Sequence, residues 1–325
     1  MSEDSTDSIV GTGTSGVVRT GTVAGVGIGW RPEIDFAVRS LPGLRWCEVI
    51  AESIDPARLP GGLIGLRAAG VAVVPHGVRV NLGSADEPDH AQLDRFAAVA
   101  AALHAPLVSE HISFVRAGGV DVGHLTPLPR TRDAVEVMVR NVATFRSAVG
   151  LPVALEPIAV LFDWPDDELT EGQFITEICE RSDALLLLDV ANVHANARNA
   201  VGGRAGSAPT LFEQIPLERI AYVHIAGGDE HDGIYHDTHT APVSPEVLDL
   251  LTVLTSRQPI PAVMLERDGN YPPQAEIFAE LDSIAEASGH PRITAAGTAA
   301  GAVAGTAAST TAVGAAATTR LDPPA

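Results

Sequence analysis

The sequence predicts an α/β fold, a (β/α)8 barrel, on three observations. Eight short runs of Val, Ile and Leu recur along the chain, longer stretches at helical spacing separate them, and nearly every run turns from apolar to polar at its carboxyl end. The runs are continuously apolar rather than alternating, as strands buried on both faces of a parallel sheet should be.

In order, the strand candidates are GVGIGW from Gly25, CEVIAES from Cys47, VAVVPHGV from Val71 and PLVSEHISF from Pro106. PVALEPI from Pro152, ALLLLDVANV from Ala184, IAYVHIAG from Ile220 and AVMLERD from Ala262 complete the set. Between them lie QLDRFAAVAAALHA, TRDAVEVMVRNVATFRSAV and SPEVLDLLTVLTSRQ, each rich in helix formers with an apolar stripe; the last opens with Ser244 as N-cap and Pro245 at N1. An open doubly wound sheet is the rival, but it would carry a glycine phosphate loop in its first βα turn, and GVGIGW lacks the GxGxxG spacing. Residues 1–22, rich in Ser, Thr and Gly, and the Ala, Thr and Gly tract of 291–325 are expected to be disordered tails around a catalytic domain at 23–290.

In a parallel barrel the carboxyl ends of the strands form one face, where active sites of this architecture sit. There the sequence places Glu52, His76, Glu110 with His111, Glu156, Asp189 with Asn192, His224, and Glu266 with Asp268. Unpaired buried charges cost several kcal/mol each, and like carboxylates repel, so cations are needed to offset such crowding. Imidazoles and carboxylates without nearby thiols suit iron, manganese or zinc, and one metal needs about four to six ligands. The inventory exceeds that, so two or three ions are expected. HDTHTAP is read as the loop after strand seven, where Asp237 and His239, one residue apart, point the same way if the segment is extended. Of DVANVH, Asp189 and Asn192 are preferred to His194. Arg79, Arg116 and Arg267 are candidate substrate-binding residues, able to grip a carboxylate or to offset acidic charge. His90, His104 and His290 read as ordinary surface or packing residues, His194, His231 and His236 stay open, and Glu52 is as readily a cap or solvated group as a functional one.

Composition narrows the function. The formal net charge is −20 and the chain contains no lysine, which removes Schiff-base catalysis and a P-loop. The acidic balance disfavours nucleic acid as a partner and favours cations or a cationic peptide. Cys47 and Cys179 form no CxxC pair, and the acidic N-terminus lacks a signal peptide's basic and apolar regions, so a cytoplasmic protein is expected. The C-terminal tract buries too little area for a membrane anchor.

PHGVRVNLGS, SEHISF, HLTPLPRT, ALEP, LLLDVANVH, VHIAGG, HDTHTAPVS and LERDGNYPP, in that order over about residues 23–288, resemble the multinuclear non-haem iron-dependent oxidase family, which includes the methanobactin biosynthesis oxidase. The resemblance implies a xylose-isomerase-like TIM barrel, two or three iron ions, O2 as co-substrate, and modification of a ribosomally made peptide, often at cysteine, with a small partner protein that recognises the precursor. Carried over by motif, His76, His111 and Glu156 serve one iron; Glu156 bridges to a second held by Asp189, His224 and Glu266; Asn192, Asp237 and His239 complete a third site. Glu156, Asp189 and His224 are the catalytic candidates. The chain departs from the family in Pro157, where Asn is usual, and in Arg267, where an aromatic often follows the glutamate. The alternative is a Zn- or Mn-dependent isomerase or hydrolase on the same barrel, set back by the missing lysine and the acidic surface; a scaffold that stores metal without catalysis is a third reading.

Overall fold

In the computed structural model, which describes residues 23–200 and 207–295, the strands in chain order are β1 (Gly25–Gly29), β2 (Trp46–Ile50), β3 (Ala72–His76), β4 (Val108–His111), β5 (Phe114–Ala117), β6 (Val120–Thr126), β7 (Val153–Glu156), β8 (Leu185–Asp189), β9 (Ile220–Ile225), β10 (Gly227–His231), β11 (Ile234–Ala241) and β12 (Ala262–Leu265). The α-helices are α1 (Asp35–Arg39), α2 (Gly61–Ala68), α3 (His90–Leu103), α4 (Arg132–Val149), α5 (Glu171–Ser182), α6 (Val190–Asn199), α7 (Ala208–Leu211), α8 (Pro245–Arg257) and α9 (Gln274–Ser288). Eight strands, in the order β1-β12-β9-β8-β7-β4-β3-β2, close into a barrel. Each barrel pair is parallel, and the eight are the runs picked out from the sequence.

Helix starts follow local chemistry. Thr131 Oγ1 accepts from Ala134 N and Ser244 Oγ from Val247 N, while Thr170 and Gln173 form a reciprocal capping box, each satisfying amides that the helix cannot pair. Two antiparallel hairpins, β5–β6 and β10–β11, were not foreseen. SEHISF is therefore not one strand: it leaves the barrel after His111 and resumes in β5. HDTHTAP likewise lies on a strand, β11, not in a loop. The predicted tail 1–22 and residues 296–325 lie outside the described residues. Ordered chain runs past the expected boundary at 290, because Ile293 is buried and its carbonyl accepts from Gly43 N at 3.0 Å.

Strand alternation arranges the interior in layers. A small apolar cluster of Trp46, Val74, Leu107, Ala154, Leu187, Tyr222 and Met264 fills the lower barrel, separate from the larger core between barrel and helices. Each such buried large side chain stabilises by about 1.5–3 kcal/mol. Trp46 fits only because residue 27 is glycine: a Cβ there would come within 2.5 Å of the indole. With a period of two, the next inward positions above this floor are Glu48, His76, Ser109, Glu156, Asp189, His224 and Glu266, with His111 one step beyond Ser109.

Candidate metal centre

Glu156, at the carboxyl end of β7, is the hub. Its Oε2 faces His76 Nε2 at 3.3 Å and His111 Nε2 at 3.4 Å, and its Oε1 faces His224 Nδ1 at 3.4 Å. His224 Nδ1 also lies 2.9 Å from Glu266 Oε2. On the far side His239 Nε2 meets Asp237 Oδ2 at 2.6 Å and Asp189 Oδ2 at 3.9 Å, while its Nδ1 approaches Asp268 at 3.2 Å and Glu266 at 3.5 Å. Three overlapping groups each bring their ligand atoms within 4.8 Å: His76–His111–Glu156, Glu156–Asp189–His224 and Asp189–Asp237–His239. Glu48–His224–Glu266 and His239–Glu266–Asp268 do the same.

Several of these contacts are close but not hydrogen bonds. Glu156 Oε2, Asp189 Oδ2, His224 Nδ1 and Asp237 Oδ1 are buried without a hydrogen-bond partner. Orphaned polar atoms are rare in protein interiors, and four on residues of interlocking ligand groups fit lone pairs directed at a shared position rather than at one another. Hydrogen bonds on the opposite sides of the rings agree: His111 Nδ1 donates to Gly77 O at 3.0 Å, which leaves Nε2 to face Glu156 when the ring is neutral. Asp189 divides its carboxylate, Oδ1 capping α6 by accepting from Ala191 N and Asn192 N, Oδ2 turned inward. The donor set of imidazole and carboxylate therefore fits divalent or trivalent cations.

The electrostatics carry the same strain. Burial pushes the Glu156 carboxyl up, but the facing imidazoles of His224, His111 and His76 outweigh it and bring it down to about 2. Burial lowers His111, yet Glu156 and Glu110 carry it to about 9. His224 and His239 are likewise raised well above the ordinary imidazole value: burial is opposed at His224 by Glu48, Glu266 and Glu156, and at His239 by Glu266 and Asp237. Asp189 moves up, by burial and by its neighbours Asp237 and Glu156. His76 moves down, chiefly by burial. Protons thus hold the cluster together where cations can replace them. His239 sits at φ 54°, left-handed backbone that a non-glycine residue adopts at a cost of about 1–3 kcal/mol. Asp237 and His239, two residues apart on β11, thus meet with His239 in left-handed backbone.

Other sequence candidates fall elsewhere. Asn192 is buried in the first turn of α6, its Nδ2 donating to Pro157 O at 3.3 Å. Arg79 is half-exposed and paired with Asp121 of β6; Arg116 lies on β5, its N–H donating to Asn81 Oδ1. Arg267 does not suit a substrate contact: its buried Nη2 grips both Glu280 oxygens, at 2.7 and 2.6 Å, and Nη1 donates to Thr240 O, so it ties α9 to β11. Glu52 Oε1 accepts from Val78 N and Arg79 N, and Glu110 Oε2 from Val80 N, so both shape the loop after β3. His194 packs edge-on against Tyr235, and His231 and His236 face each other on the second hairpin. The sequence reading missed Glu48, fully buried in the middle of β2, and Arg31, whose buried guanidinium pairs with Asp268 and Glu266. Position parity with Trp46 was the available signal for Glu48; Arg31 offered none.

Among solved structures, the fold is similar to endonuclease IV from Thermus thermophilus (TM-score 0.54, 17% identity, covering 81% of this chain and 98% of that one). It is also similar to D-psicose 3-epimerase from Clostridium cellulolyticum (TM-score 0.54, 12% identity, 81% and 99%). These likenesses establish the (β/α)8 barrel fold alone. In sequence the chain is 49% identical over 279 residues to a UPF0276 protein of Streptomyces avermitilis, covering 84% of this chain but 56% of that protein's length. A UPF0276 protein of Chromobacterium violaceum is 31% identical over 261 residues, covering 80% and 93%. Residues 25–288, the barrel with its ring of imidazoles and carboxylates, match the family of RiPP precursor modification enzymes MbnB/TglH/ChrH, and the chain belongs to that family.

Proposed function

We propose that this protein is a multinuclear non-haem iron oxidase that uses O2 to modify a ribosomally made peptide at cysteine. The observation that carries the reading is the cluster around Glu156, whose imidazoles and carboxylates converge from five strands of the barrel and from the second hairpin, with buried, unpartnered atoms on Glu156, Asp189, His224 and Asp237. His76, His111 and Glu156 would hold one iron, Asp189, His224 and Glu266 with Glu156 a second, and Asp237 and His239, with Asn192 beside them, a third. When bound, iron supplies the redox chemistry with O2 and favours the thiolate form of a substrate cysteine.

What the chain's own residues supply is position and charge. Glu156 keeps the first two ligand groups in register, and Asp189 couples the second to the third while anchoring α6. The floor of Trp46, Leu107, Leu187 and Met264 closes the centre to water from below, so a substrate reaches it only at the carboxyl-end mouth flanked by the two hairpins. The acidic chain favours a peptide of basic character, and no helix among the described residues is long and apolar enough to cross a membrane.

The test is metal analysis followed by turnover. Protein produced with ample iron should carry two or three iron ions with a visible absorption band, and after anaerobic reduction should consume O2 only with a cysteine-containing precursor peptide from its gene neighbourhood. A serine-for-cysteine version of the peptide should be inert. Colourless protein loaded with zinc or manganese, and no O2 uptake with any thiol peptide, would instead place the chain among hydrolytic or isomerising enzymes.

A further inference from the structure

Beneath the ligand layer, three fully buried side chains that serve none of the three proposed iron positions connect two of the ligand histidines. Tyr222 Oη lies 2.6 Å from Glu48 Oε2 and 2.7 Å from Ser109 Oγ. Ser109 Oγ lies 2.8 Å from His76 Nδ1, and Glu48 Oε2 lies 3.0 Å from His224 Nε2. Glu48, Ser109 and Tyr222 come from β2, β4 and β9, strands that are not neighbours in the barrel.

The donor inventory settles the direction of the chain. A phenol has one proton, and the Glu48 oxygen can only accept, so Tyr222 donates to Glu48. Ser109 then donates to Tyr222, and His76 Nδ1–H donates to Ser109. From the other end, His224 Nε2–H donates to the same Glu48 oxygen. The consequence is opposite at the two rings: His76 is left with Nε2 to face Glu156, His224 with Nδ1 to face Glu156 and Glu266. A ligand histidine needs its other nitrogen engaged to fix which one is free, and removing such a partner costs roughly 10- to 100-fold in metal affinity.

We propose that Glu48, Tyr222 and Ser109 form a hydrogen-bonded bridge that fixes the ring orientation and tautomer of His76 and His224 together, making them positioning residues for two metal positions at once. The inference rests on the metal-binding reading of the site but concerns residues to which that reading gives no role. Glu48 is the direct partner of His224 and Ser109 that of His76, and Tyr222 holds these two partners together, so loss at Glu48 or Tyr222 reaches both rings, in part through the remaining partner, whereas loss at Ser109 reaches His76 alone. The other oxygen, Glu48 Oε1, is buried without a partner and stands beyond the bridge.

The experiment uses the full chain and Zn2+ alone, with affinity and stoichiometry read by calorimetry and ring N–H signals by NMR of the 15N-histidine-labelled, Zn2+-loaded protein. Tyr222→Phe, which keeps the ring against Trp46 at 5.3 Å, is the variant that retains packing. Glu48→Leu, which removes the direct partner of His224, should weaken Zn2+ binding roughly 10- to 100-fold, and Tyr222→Phe, which removes the link between the two partners, should weaken it by a smaller factor. They should also shift the N–H signals from Nδ1 of His76 and Nε2 of His224. Ser109→Ala should move only the His76 signal, and Ser109→Thr, retaining the hydroxyl, should restore it. Trp46→Phe, which alters the packing around Tyr222 but removes none of the hydrogen-bonding groups of the bridge, should lower the melting temperature and leave Zn2+ affinity in place. Unchanged affinity and unchanged ring signals in Tyr222→Phe and Glu48→Leu, beside a wild type that binds Zn2+, would overturn the bridge and leave the metal centre standing. A wild type that takes up neither Zn2+ nor Fe2+ would overturn both.

Discussion

Replacing Glu156 with Gln keeps the shape of the hub and removes its charge. The carboxyl falls from 4.5 to about 2 in the metal-free protein, which at about 1.4 kcal/mol per pH unit amounts to about 3 kcal/mol. The sign follows from the direction: a depressed carboxyl contributes stability that is present above 4.5 and lost as pH falls through about 2. At pH 7 the full amount is therefore at stake, in line with the roughly 3–5 kcal/mol lost when one partner leaves a buried ion pair. For a domain of this size that lowers the melting temperature by on the order of 10 °C. The assay is thermal unfolding of chelator-treated wild type and Glu156→Gln at pH 7, followed by Zn2+ titration of each. Because Glu156 belongs to two ligand groups, the variant should also lose two binding events rather than one. A melting temperature within a degree or two of wild type, or an unchanged number of Zn2+ ions bound, would refute the assignment of Glu156 as a shared, ionised hub.

Three further outcomes are expected. Metal uptake at pH 7 should release protons from His111, His224 and His239, all raised in the metal-free protein, and the release from His111 should fade as pH rises through about 9; calorimetry in buffers of different ionisation enthalpy measures it, and heats independent of buffer would contradict it. Asp189→Asn retains the oxygen that caps α6, so it should keep the fold within about 1 kcal/mol while weakening Zn2+ binding, whereas Asp189→Ala should lose a further ~1 kcal/mol in urea unfolding. Glu280→Ala leaves the Arg267 guanidinium buried without its carboxylate and should cost about 3–5 kcal/mol of stability with Zn2+ affinity intact. A variant of normal stability with a raised KM for peptide would return Arg267 to a substrate role.

Much of the architecture is legible in the chain alone, because a strand buried on both faces must be continuously apolar until it reaches the mouth of the barrel. The eight runs, and the polar residue closing most of them, carry that information locally. His76, His111, Glu156, Asp189, His224 and Glu266 could therefore be named as candidates without knowing which strand neighbours which. Asp237 and His239 are legible from their one-residue spacing in HDTHTAP, although neither the hairpin strand that carries them nor the left-handed backbone at His239 is.

Tertiary structure decided the roles that depend on partners far away in sequence. Glu48 sits inside the apolar run of β2 and reads as an oddity until barrel closure brings it to His224, 176 residues on. Arg31 finds Glu266 and Asp268 more than 230 residues away. Arg267 lies beside Glu266 in sequence, just past the end of β12, yet its partner is a carboxylate of α9 whereas Glu266 faces the imidazoles of the centre. Composition and spacing can say that a charge will be buried; only the closed barrel determines which neighbour makes that burial tolerable, and so whether the side chain serves the centre or the scaffold.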